Sequence, residues 1–129
     1  MKAMRLLLVL GVVSLAGCAA PTRTSDPSAF TLLQRGEVES SKVQAFLGCL
    51  TDGFTDAHPF LATLSTRQQR RSTGYRIETV SEGVANVSAN VGDDGQVAIF
   101  ESRTAVLINT SGERQAFARC LNQYGKRAG

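Results

Sequence analysis

The chain has 129 residues, one domain's worth once a short leader is set aside, with 14 Lys plus Arg against 11 Asp plus Glu, three cysteines and one histidine. One histidine leaves little material for a catalytic triad, and no His/Cys cluster exists from which to build a zinc site. Lys2 and Arg5 account for two of the basic residues, so residues 18–129 carry 12 basic against 11 acidic groups, which argues against nucleic acid as a partner.

In chain order, Lys2 and Arg5 form a short basic start, and Leu6-Leu7-Leu8-Val9-Leu10-Gly11-Val12-Val13 is a compact apolar run. A permanent membrane span needs about 20 apolar residues. A basic flank, a shorter apolar middle and a small-residue exit instead describe an export signal over residues 1–17. Leu15-Ala16-Gly17-Cys18 resembles the lipobox of bacterial lipoproteins, where signal peptidase II cleaves before the cysteine. The resemblance covers residues 1–18. It implies a diacylglyceryl thioether on Cys18 and a further acyl chain such as palmitate, enough to hold a protein stably on a bilayer. Ala19 follows, not the aspartate of inner-membrane retention, so the outer membrane with the domain facing the periplasm is expected.

Residues 18–30 form the next unit. Pro21, Pro27 and a run of hydroxyl residues read as a tether with little to bury. A single domain is expected over residues 31–125, followed by a basic tail at 126–129.

Val43, Phe46, Leu47, Leu50 and Phe54 recur with helical period, with Cys49 at the edge of the stripe. Farther on, Thr110 and Glu113 have capping-box spacing, and Ala116, Phe117, Cys120, Leu121 and Tyr124 share one helical face before Gly125 stops it. With Cys18 lipidated in an oxidising compartment, Cys49 and Cys120 are the remaining thiols, and a structural disulfide is the expectation. Free thiols and a redox pair are the alternatives, the latter without a C-x-x-C motif.

Between the helices the period changes. Tyr75 to Val80 alternates, Val84 to Val91 is rich in strand formers, and Gly92-Asp93-Asp94-Gly95 turns the chain into Gln96 to Phe100. Thr104 to Ile108 reads as a further strand or a continuation, and Phe60 to Leu64 as another candidate. The expected architecture is α+β, with an antiparallel sheet of three or four strands flanked in sequence by two helices packed on one face. The other sheet face is expected to be wetter. Cys49, Gly74-Tyr75-Arg76 and Cys120 also resemble the pattern of small proteobacterial lipoproteins with a cysteine in each terminal helix, a resemblance that implies a fold and no activity.

Candidate chemistry is sparse. His58 lies near Asp52 and Asp56 and is the one candidate for a general base. Asp52 to Asp56 lacks the ligand spacing of a calcium loop, and Asp93-Asp94 is accounted for by its turn. No catalytic residue, metal or cofactor is therefore expected. Arg67, Arg70, Arg71 and Arg76 form a basic patch suited to an envelope protein or an anionic lipid headgroup. The expected function is that of a membrane-anchored structural or interaction module. A periplasmic small-ligand carrier or sensor is the alternative, and a small hydrolase using His58 a more distant one.

Overall fold

The computed structural model describes residues 27–59, 63–103, 105 and 108–126. The signal segment, Cys18, most of the tether, residues 60–62 and the tail beyond Lys126 lie outside them. Strand β1 (Phe30–Glu37) leads through a turn at Ser40–Lys42 into helix α1 (Val43–Asp56). Strands β2 (Leu64–Arg71), β3 (Gly74–Ser81), β4 (Val84–Gly92) and β5 (Gln96–Ser102) follow as an antiparallel meander, and helix α2 (Ser111–Tyr124) closes the domain.

The sheet has five strands in the order β1-β5-β4-β3-β2, and this corrects the expectation of three or four between two helices. Both additional strands are edges. In β1 the register slips between Leu32 and Gln34, so Leu33 packs on the core while Leu32 stays 40% exposed. The bulge breaks the period-two pattern that marks a strand. In β2 the sequence Leu-Ser-Thr-Arg-Gln-Gln-Arg-Arg has no apolar alternation, because charged residues on an edge protect it from further pairing. Strand pairing accordingly begins at Leu64, while Phe60 to Ala62 fall outside the described residues. Ala105 and Ile108 belong to no strand, which removes the strand expected over Thr104 to Ile108 as far as that segment is described.

Both helices cover one face, as their stripes require. Phe46, Leu50 and Phe54 from α1 and Phe117 and Cys120 from α2 form one core with Ile77, Val87, Ala89, Val91, Val97 and Ile99 of the sheet. The rings of Phe46 and Phe117 meet edge to face, 5.8 Å apart. Beside them the Cys49–Cys120 disulfide joins the helices, with Cα atoms 5.9 Å apart.

The second sheet face is not simply wet. It is polar in composition but shielded along its middle, where Glu78 is 2% exposed, Arg76 9% and Ser88 fully buried.

Gly95 ties the meander to β1. Its carbonyl accepts the Val38 N–H at 2.8 Å, its φ is +89°, and a Cβ there would overlap the Val38 carbonyl. Gly95→Ala should destabilise the domain by about 2 kcal/mol or more, from left-handed strain and displacement of that contact. Urea unfolding checks it, and an unchanged midpoint would contradict this account.

Candidate functional site

The ladder pairing sorts the four arginines of the expected patch onto two faces. Arg67 lies opposite Glu78, Gln69 opposite Arg76, and Arg71 opposite Gly74, all on the face away from the helices. Arg70 lies opposite Tyr75, on the helix side, where the Tyr75 hydroxyl accepts a hydrogen bond from Gln44 of α1. The sequence run is therefore not one patch.

Arg67 and Arg70 each hold an acidic partner. Arg67 donates to the buried Glu78 carboxylate at 2.8 Å. Arg70 grips both oxygens of Asp93 at 2.7 and 2.8 Å and stacks 4.8 Å from the Tyr75 ring centre. That bidentate hydrogen bond raises the Arg70 pKa and lowers that of Asp93. The pair is solvent-exposed, so its main effect is to fasten the β4–β5 turn to β2.

The other two, Arg71 and Arg76, line a groove of about 760 Å³ at one end of the second face. A third arginine, Arg35 of β1, joins them there. The register explains how a residue so distant in sequence arrives. Arg35 is opposite Ala98, Ala98 opposite Asn90, Asn90 opposite Arg76, and Arg76 opposite Gln69, in one row across all five strands. Ala98 and the backbone at Gly74 and Gly92 form a low floor, Phe100 adds an aromatic wall, and Asp93 and Asp94 of the β4–β5 turn line the same groove. Burial lowers the Arg76 pKa, and the nearby Arg71 and Arg67 charges lower it further against the pull of Glu78. Cationic charge is thus crowded on this part of the sheet.

Arg35 escapes a reading of the sequence because the patch looks local, and only the pairing of the first strand with the last brings it in.

His58 lies in the turn after α1 and contacts Glu113 in the first turn of α2. Glu113 is fully buried, so it does not reach back to complete the capping box that its spacing with Thr110 suggests. The Thr110 hydroxyl instead donates to Glu101, which also accepts from Arg114 at 2.7 Å. Burial raises the Glu113 pKa, while His58 opposes that shift. The pair spans the ends of the two helices.

Among the described residues no group of three or more His, Cys, Asp or Glu side chains is placed to hold a metal ion, and no helix is long and apolar enough to cross a membrane. Comparison with known protein families, curated proteins and solved structures finds no match.

Proposed function

We propose that this chain is an exported lipoprotein of the bacterial outer membrane, held through acylated Cys18, whose periplasm-facing domain serves as an interaction module and not as an enzyme. The observation that carries the reading is the partition of its three cysteines. Cys49 and Cys120 are bonded to each other, a state that persists in oxidising compartments. The third, Cys18, ends a Leu-Ala-Gly-Cys box behind a basic and apolar leader. The two features support the same route by independent chemistry.

The experiment is expression of the full chain and of Cys18→Ser with labelled palmitate. The parent should carry label and fractionate with membranes. Cys18→Ser should lose the label and accumulate uncleaved, because lipidation precedes cleavage in this route. A Cys18→Ser protein that still acquires label would overturn the proposal.

A second reading, a periplasmic carrier or sensor of a small ligand, is favoured by one observation, the groove of about 760 Å³. That volume falls within the range of about 300–1,000 Å³ usual for small-molecule sites. The Nε2 of His58 is buried against Glu113, and we assign the pair to holding the helix ends.

A further inference from the structure

We propose that the groove framed by Arg35, Arg71 and Arg76 is a binding site for a phosphate ester, the phosphate held by the arginines and the organic body lying along the floor at Ala98, Asn90 and Phe100. The inference does not rest on lipid attachment, since every residue of the groove belongs to the strands and their turns.

The spacing sets the class of ligand. Arg35 and Arg76 occupy one row, three strand steps apart, which at about 4.8 Å per step is roughly 14 Å between their backbones. Long side chains that rise from one face of the sheet at that separation and line one groove can converge on a polyatomic anion between them. A guanidinium presents paired N–H donors that match phosphate oxygens, and a doubly charged group with several acceptors can engage more than one of them. Arg76 is 9% exposed, so its charge acts from within the sheet surface, where solvent screens it less.

The floor accounts for the organic part. Ala98, between Arg35 and Asn90 in the row, is too short to fill the space above it. Asn90 offers an amide that can donate to or accept from a hydroxyl, and Phe100 gives an apolar wall. Burial first and then the Arg71 charge lower the Arg76 pKa, and a bound anion relieves the second of these.

A phosphate ester has two sources in an envelope, a soluble metabolite or a phospholipid headgroup, and the test separates them. The full chain, purified in non-ionic detergent, is titrated with glycerol phosphate and, separately, with micelles doped with phosphatidylglycerol, and binding is read by calorimetry. Saturable binding is expected in at least one arm. Arg35→Gln and Arg71→Gln should each weaken it about tenfold, the size expected for one charge-assisted contact. Ala98→Glu, which places a carboxylate on the floor, should abolish it. Arg103→Gln, an exposed arginine in the turn after β5, should leave it unchanged. Stronger binding to the soluble ester assigns a metabolite, and stronger binding to the doped micelles assigns a headgroup. Absence of saturable binding in both arms overturns the proposal, as does a loss with Arg103→Gln equal to that with Arg35→Gln. Because Arg35 and Arg71 are exposed, both variants should fold, which melting verifies. Failure here would leave the Cys18 labelling result untouched, so the two proposals fall separately.

Discussion

A Cys49→Ala, Cys120→Ala double variant is expected to be less stable than the oxidised parent by about 2–4 kcal/mol while keeping the same fold. The bond closes a loop with a sequence separation of 71, so nearly the whole domain gains freedom in the unfolded state when it is removed. The chain-entropy estimate for a loop of this size is about 4 kcal/mol, and native-state adjustments commonly return part of it. Other contacts hold the helices together without it. The Phe46–Phe117 ring pair persists, and Gly53 lets α1 come so close to Ala116 of α2 that a Cβ on Gly53 would overlap the Ala116 Cβ. Cys120 is fully buried, so its replacement also leaves a small void. Urea unfolding of both proteins is the measurement. Equal midpoints would show that the bond contributes no stability, and a variant without native near-ultraviolet dichroism would show that it does more.

His58→Ala should cost about 3 kcal/mol at neutral pH, the range for breaking a buried pair by deleting one partner. The imidazole is the group that offsets the burial of the Glu113 carboxylate, and both buried carboxylate oxygens lack hydrogen-bond partners apart from the His58 contact. The pH dependence has a definite sign. Burial holds the folded-state pKa of Glu113 above its ordinary value, so the native protein keeps that proton to higher pH than the unfolded chain does. The group's contribution is therefore fully present below the unfolded pKa and is lost as pH rises through the folded one. Deleting His58 removes the opposing pull, so the deficit of His58→Ala should grow over the interval in which pH rises from the unfolded carboxylate pKa towards the raised folded one. Glu113→Gln, which cannot ionise, should gain on the parent over the same interval. Denaturant midpoints across that range decide the matter. A His58→Ala deficit independent of pH would show that packing, not charge, links the two helix ends.

The central meander and both helices were legible in the residues themselves. Val43 to Phe54 and Ala116 to Tyr124 carry helical stripes that match α1 and α2. Tyr75 to Val80 alternates because Ile77 and Thr79 face the helices while Arg76 and Glu78 face away. The disulfide was legible from the place of each cysteine beside a stripe, together with the expectation of an oxidising compartment. The two edge strands were hidden for different physical reasons. A bulge at Leu33 spoils the alternation of β1, and β2 has polar residues on both faces because an edge gains its pairing from the backbone alone. Taken as one local run, Arg67, Arg70, Arg71 and Arg76 looked like one surface, whereas the strand β2 sends Arg70 to the opposite face. The Thr110–Glu113 spacing misled for another reason. A residue at N3 can turn inward as well as back to its cap, and the imidazole of His58 offers a partner that sequence distance conceals.

The position of β1 has a bearing on the order in which the chain acquires its shape. Phe30 lies opposite Ser102, and Val38 forms a bridge with Gly125, so the first strand and the residue after it find their neighbours far along the chain. A chain emerging amino end first can build the hairpins of β2 to β5 as they appear, since each strand pairs with the one just made. It cannot place β1 until β5 is made or seat α1 against α2 until the second helix arrives, and long-range pairings of this kind slow folding. During that interval Leu32 and Leu33 form part of an unpaired strand, open to pairing with another chain. Closure of the domain thus waits on partners distant in sequence, β5 for the first strand and α2 for the first helix and the cysteine bridge.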